Sequence, residues 1–316
     1  MGGVGRTMIT AGVLILLFVA YQLWGTGLRT AQAQNRLEDE FAAAQDAAAD
    51  VIGPSTSTTP APATDPSGAT VTTLRLPATT APSLPEELLP SEGESAGQIE
   101  IPSIGVDWTF VEGVGVNDLK DGPGHYPETP FPGQAGNAAM AGHRTTYGAP
   151  FANVDRLELG DEILVTTLQG RFHYVVRSIQ IVSPRAVEVL TADYWTLQPD
   201  LEPFTNALTL TACHPKYSAR QRIIIGAELV GEPLPGFERP APTRAPDLSG
   251  LSGGTVSRTP AVLLGCACAA IWLLAWAIGR RWRRLRWASY ALFIWPFLVA
   301  LYFFFENFSR LLPANY

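Results

Sequence analysis

Two apolar runs near the C-terminus, Ala261 to Gly279 and Ala288 to Phe305, restrict the folds open to this 316-residue chain more than any other feature. Each is close to the ~20 residues that a helix needs to cross a bilayer. A backbone in hydrocarbon must satisfy its own hydrogen bonds, which leaves the helix as the local solution. Between the runs stands Arg280-Arg281-Trp282-Arg283-Arg284-Leu285-Arg286-Trp287, so the pair reads as a helical hairpin with a basic tip. Positive charge is retained on the cytoplasmic side, which puts the tip inside and both the preceding region and the tail outside. A third run, Met8 to Trp24, comes after Arg6, and its 17 residues sit at the lower limit for a span. Ala31-Gln32-Ala33 resembles a signal-peptidase site, but it lies well past a run that is too long for a signal h-region. An uncleaved anchor is the better reading, and either reading exports the central region of the chain.

Charge and cysteine usage narrow the function. Of 22 basic residues five lie in the tip alone, and the remaining 17 face 29 acidic ones, which disfavours a nucleic-acid partner. Two of the three cysteines, Cys266 and Cys268, fall inside the second apolar run. Cys213 is therefore a lone thiol in an oxidising compartment, either an intermolecular bridge or a reactive group. No phosphate-binding glycine loop or metal-ligand spacing occurs, so no cofactor and no metal site are expected.

The chain divides by composition into a cytoplasmic N-terminus at 1–7, the first span at 8–24 and an Ala-rich helical stalk at 25–52, whose lack of a wide apolar stripe predicts an exposed helix. Residues 53–96 are a Pro/Thr/Ser-rich linker with too few large apolar groups to fold. A catalytic-size domain occupies 97–232, a second Pro/Gly/Ser linker 233–260, and the spans 261–279 and 288–305 flank the basic loop 280–287 before an extracytoplasmic tail at 306–316.

Within the domain, Ile104, Val106, Trp108 and Phe110 alternate along one strand, 117–133 reads as an irregular loop, and strands are expected at 162–167 and 172–182 with a turn at Gln169-Gly170. A short helix is expected around Phe151 to Val154, and 191–204 reads only as a connection. Leu208-Thr209-Leu210-Thr211-Ala212-Cys213-His214-Pro215, with Arg222 and the β-branched run Ile223-Ile224-Ile225 after it, reads as a hairpin. By period two, Leu208, Leu210 and Ala212 face the core, while Thr209, Thr211 and Cys213 share the polar face. A hairpin centred between Tyr217 and Ser218 sets Arg222 directly opposite Cys213 and leaves Arg220 two positions nearer the turn. A guanidinium beside a thiol lowers its pKa and supplies donors to an oxyanion, which makes acyl chemistry a concrete prospect. Of the four histidines, His143, closing Asn137-Ala138-Ala139-Met140-Ala141-Gly142-His143, is the best placed to donate a proton. His125, His173 and His214 read as structural.

Taken together, Thr-Leu-Thr-Ala-Cys with Arg nine residues on, and Gly-Asn-Ala-Ala-Met-Ala-Gly-His with its His 70 residues before the Cys, resemble the sortases. His-Pro after the Cys is similar to class E. The resemblance covers roughly Gln98 to Val230, with one departure: Ala212 stands where the family usually has Thr, at a position that faces away from the thiol. It implies an all-β, sortase-like barrel of about seven or eight strands with short helical insertions, here carried on three transmembrane helices. It further implies a membrane-anchored cysteine transpeptidase with Cys213 as nucleophile, His143 as acid and base, and Arg222 at the oxyanion. The implied partners are secreted proteins with a C-terminal Leu-Ala-X-Thr-Gly-like sorting signal, a peptidoglycan amine and membrane lipid. Gly124-His125-Tyr126-Pro127 also matches the family, which makes Tyr126 a candidate reader of the signal. Thr209 and Thr211, on the thiol's strand face, are the other substrate-binding candidates. Two alternatives stay open: a non-catalytic envelope binding module, and a hydrolase that resolves the acyl enzyme with water.

Overall fold

A computed structural model of the chain describes residues 3–52, 89–236, 257–281, 286–309 and 311. Most of both Pro-rich linkers, the centre of the arginine tip and most of the C-terminal tail lie outside the described residues. The central domain is an eight-stranded closed barrel, in the order β1-β2-β3-β4-β7-β8-β6-β5, with β5 pairing back to β1. Its strands are β1 Ser95–Ile101, β2 Val106–Glu112, β3 Gly124–His125, β4 Asn137–Ala141, β5 Glu162–Thr167, β6 Gly170–Val182, β7 Ala207–His214 and β8 Gln221–Leu229. Short 3₁₀ turns interrupt it, among them Asp118–Lys120, Val154–Arg156, Val187–Leu190 and Tyr194–Thr196.

Period-two alternation fills the barrel. Ile99, Ile101, Phe110, Met140, Ile163, Val165, Leu208, Leu210 and Ile225 form one buried cluster, and closure leaves no free sheet edge. The alternate positions of β4, β7 and β8 are not solvated, however. Ala139, Ala141 and Ile224 join Tyr126, Val189, Trp195 and Phe204 in a second cluster on the outer face. The expected connection at 191–204 is thus the cover of that face. Trp195 lies against Gly226, where an added Cβ would come within 2.5 Å of the indole, and it stacks on Phe204 at 5.3 Å between centroids. The expected loop at 117–133 likewise holds an element, the two-residue strand β3, which pairs parallel with β2 and antiparallel with β4.

Four helices complete the described chain: α1 Gly3–Ala20, α2 Thr26–Ile52, α3 Thr259–Arg281 and α4 Arg286–Ser309, with a π-helical turn, Tyr21–Gly25, joining the first two. The expectation of three membrane helices is corrected to two. Among the described residues only Thr259–Arg281 and Trp287–Ser309 are long and apolar enough to cross a membrane, whereas the first apolar helix reduces to Met8–Ala20. Thirteen residues span only ~20 Å at 1.5 Å each, because after Ala20 the α-helix gives way to the π-helical turn Tyr21–Gly25.

The exposed stalk is also corrected, since α2 packs on the barrel. Thr26, Thr30, Gln34, Leu37, Phe41 and Ala48 are buried, at the three- and four-residue spacing of one helical face. Half of that face is polar, which is why no apolar stripe showed in the sequence. The polar half is satisfied by backbone: Gln34 Nε2 donates to the carbonyls of Thr109 (2.9 Å) and Asp121 (2.7 Å), Gln34 Oε1 accepts from Thr109 N (2.9 Å), and Thr30 Oγ1 donates to Lys120 O at 2.9 Å.

Candidate active site

The site lies at the C-terminal end of β7, which is flanked by β4 on one side and β8 on the other. Antiparallel pairing with β8 sets Cys213 opposite Arg222 and His214 opposite Gln221, the register expected of a hairpin centred between Tyr217 and Ser218. Parallel pairing with β4 runs from Asn137↔Ala207 to Ala141↔Thr211 and continues past the strand end, where Gly142 N donates to Thr211 O at 3.1 Å. The same offset carries His143 to the level of Cys213, and in-register residues on neighbouring strands share a face. Three strands thus bring His143, Cys213 and Arg222 to one end of one sheet face. Gly142 permits this arrangement, because a Cβ there would meet the Phe151 ring at 2.4 Å.

The polar face that carries the thiol is buried: Cys213 is 7% exposed, His143 5% and Arg222 1%. Burial reverses the expected sign at the thiol. It pushes the Cys213 pKa up, and the Arg222 and Arg144 guanidinium charges offset this only in part. Burial also pushes His143 down to about 4, with the Lys120 cation adding to the shift. The resting pair is therefore neutral thiol and neutral imidazole.

Arg222 Nη1 donates to Ala219 O and Gln221 O, both at 3.1 Å, which ties the guanidinium to its own turn. Its Nε is buried and has no hydrogen-bond partner among the described residues. A buried, unpaired N–H at this position is a donor available to a developing oxyanion. Arg220, in contrast, is exposed in the turn.

Arg144 was not anticipated from the sequence. It is 2% exposed, donates from Nη1 to Cys213 O at 3.1 Å and pairs with Asp155 through Nη2 at 2.5 Å. Burial acts to raise the Asp155 pKa, but the Arg144 hydrogen bond and charge outweigh it and hold the carboxyl low. Only the fold joins these residues, and their separation in sequence gave no signal. Lys120 was also missed. It is 1% exposed and stands 6.0 Å over the Tyr147 ring, which in turn lies 5.3 Å from the His143 ring.

The substrate-binding candidates divide. Thr211 Oγ1 and Tyr126 Oη are 3.2 Å apart, Thr211 lies two residues before Cys213 on the same strand face, and both side chains are buried. Thr209 is turned to a structural network, donating to Asn137 Oδ1 (2.6 Å) and accepting from Trp195 Nε1 (2.8 Å). His125 is fully buried between Glu112 (2.7 Å) and Pro130 O (2.9 Å), and half-buried His173 meets Glu162 at 3.3 Å across the strand pair.

The chain is similar to known proteins over the barrel. The Sortase domain profile matches residues 99–230. Sortase SrtE1 of Streptomyces coelicolor is 31% identical over 241 residues, covering 72% of this chain and 57% of the relative. Sortase SrtE2 of the same organism is 28% identical over 234 residues, covering 72% and 80%. A solved sortase E from Streptomyces avermitilis is 36% identical, with 45% of this chain and 93% of that chain covered at a TM-score of 0.39. The chain thus spans little more than half the length of SrtE1. The chain belongs to the sortase family, in its class E.

Proposed function

We propose that the protein is a membrane-anchored cysteine transpeptidase that cleaves a Leu-Ala-X-Thr-Gly-like C-terminal sorting signal of secreted proteins between Thr and Gly. The observation that carries this reading is the register: adjacent strands set Arg222 opposite Cys213 and bring His143 level with it. Cys213 sulfur attacks the Thr carbonyl carbon, and the electron pair moves to an oxygen that Arg222 stabilises. Collapse breaks the C–N bond as His143 passes a proton to the departing Gly amine, leaving a thioester. An amine of a peptidoglycan precursor then attacks the thioester, gives its proton to His143 and releases the thiolate.

The reactive form is thiolate with imidazolium, a minor population here because burial favours both neutral partners. Arg222 and Arg144 supply the compensating positive field at sulfur. Tyr126 and Thr211, which meet on the thiol's strand face, are proposed to contact the signal, and Thr209 to support them. The barrel lies outside the cell and the five-arginine tip inside, in keeping with positive charge retained in the cytoplasm.

Mass spectrometry of the full chain with a sorting-signal peptide and an amine tests the reading. Wild type should form an adduct on Cys213 and an amide product, and Cys213→Ala should form neither while unfolding at an unchanged temperature. Product from Cys213→Ala would end the proposal, an acid product alone would make the protein a hydrolase, and no adduct would leave a binding module.

A further inference from the structure

The last helix carries a feature that membrane anchoring alone does not require. Glu306 is the only acidic residue of α4, and an ionisable group in such a helix is costly unless it is paired for a purpose. It is 14% exposed and meets two cations from different parts of the molecule, Arg29 of α2 at 3.2 Å and Lys120 of the barrel at 3.9 Å. Lys120 also donates to Asn117 Oδ1 at 3.2 Å. From Lys120 the contacts run over the Tyr147 ring to His143.

We propose that Glu306 is a positioning residue of the catalytic site: by pairing with Lys120 it sets the field at His143, so that seating of the C-terminal helical hairpin on the barrel governs the thiol–imidazole pair. The inference rests on the transpeptidase reading and adds control of its acid. The charge that acts on His143 is Lys120 from the 3₁₀ turn, and Tyr147 lies against its ring; Arg144, paired with Asp155, follows it in the chain, and the register sets Cys213 of β7 and Arg222 of β8 at the same level. Glu306 and Arg29 stand behind Lys120, and Tyr21 lies on the side of Tyr147. Lys120 acts on His143, whereas the cations that act on Cys213 are Arg222 and Arg144. A change at Lys120 therefore moves one member of the pair and not the other.

Charge fixes the direction. An uncompensated ammonium disfavours imidazolium, and a carboxylate on that ammonium relieves the effect. Glu306→Gln should push His143 lower, move the acid limb of the pH profile of kcat/KM to lower pH and reduce the plateau, because the thiolate–imidazolium population falls. The drop should be roughly 3- to 10-fold, the factor that half a unit to one unit at His143 produces. Lys120→Met should move the acid limb the opposite way, Glu306→Asp should restore most of the wild-type profile, and the double variant should match Lys120→Met alone.

The measurement uses the full chain in nanodiscs, with a sorting-signal peptide and, in parallel, iodoacetamide alkylation of Cys213 with peptide mass mapping, which separates Cys213 from Cys266 and Cys268. Alkylation needs no sorting signal, so a wild type that alkylates but does not cleave defeats the transpeptidase reading and leaves this inference testable. An unchanged profile in Glu306→Gln, or effects of Glu306→Gln that persist in the Lys120→Met background, would overturn it. Should Lys120→Met not fold, the contrast of Glu306→Gln with Glu306→Asp decides alone.

Discussion

The inner face of β7 carries Leu208, Leu210 and Ala212 into the barrel, while its outer face carries Thr209, Thr211 and Cys213, and all six are buried. The inner face is held by apolar contact, which is non-directional and tolerates exchange of shape better than exchange of polarity. The outer face is held by pairs of polar groups, and the pairing thins along the strand. Thr209 has two partners, Asn137 and Trp195; Thr211 has Tyr126 at 3.2 Å. At Cys213, buried guanidinium nitrogens remain without hydrogen-bond partners among the described residues, Nε of Arg222 and Nε of Arg144. An orphaned buried donor costs ~1–3 kcal/mol, and its position at the end of this face is where the proposed oxyanion would find a donor.

The two faces should therefore fail differently. Arg222→Lys removes the planar fork and should cut turnover by ~10²–10³ with little change in unfolding temperature. Leu210→Ala, on the inner face, should cost ~2–5 kcal/mol of stability and leave turnover per folded molecule intact. Arg220→Lys is the control, exposed and two positions nearer the turn, and should do neither. Steady-state kinetics beside urea unfolding reads all three, and an Arg220 effect exceeding that of Arg222 would move the oxyanion donor.

How legible these faces were depended on the range of the interaction. Period two and the hairpin centre are local, so the Cys213–Arg222 register, the strand Glu162–Thr167 and the inward set Leu208, Leu210 and Ala212 were readable from residues alone. His143 needed the parallel β4–β7 pairing, a contact across 70 residues, and its motif rather than its chemistry singled it out. The cover of the outer face was not legible. Trp195 is brought to Thr209 by a segment of short turns without periodicity, although a glycine in the apolar run of β8, Gly226, was a sign that something approaches closely. The buried face of α2 was hidden for a related reason, since Thr30 and Gln34 satisfy backbone groups that no sequence pattern reveals. The thiol's pKa had the wrong sign because the neighbouring arginine was visible and the burial was not.

Acid should separate the faces next. His143 sits at about 4 in the folded chain against an ordinary value near 6.5, so between those values the unfolded chain binds more protons. Stability is then present above about pH 6.5 and is lost as pH falls towards 4, by on the order of 3 kcal/mol. Asp155, also held low, acts in the same direction at lower pH. His143→Asn should flatten the slope in this window, whereas Leu210→Ala should lower the whole curve and keep its shape. Urea titrations at a series of pH values give both, and a slope unchanged in His143→Asn would place the acid sensitivity elsewhere.

The smallest expected effect tests the middle of the outer face, where Tyr126 Oη meets Thr211 Oγ1. Tyr126→Phe keeps the buried ring and removes one hydroxyl. The bond is neutral and long, so its loss should cost about 1 kcal/mol of stability and leave the Cys213 alkylation rate unchanged, because neither group is charged and neither is among the groups that shift the thiol. Tyr126→Ala opens the ring's volume beside Thr211. If Tyr126 reads the sorting signal, this variant should lose discrimination between Ala and Pro at the second signal position by more than it loses alkylation. Competition between the two peptides, scored by product mass, measures that directly. Preserved discrimination in Tyr126→Ala would make the ring a packing element, and the reading of the signal would then belong to another part of the barrel's outer face.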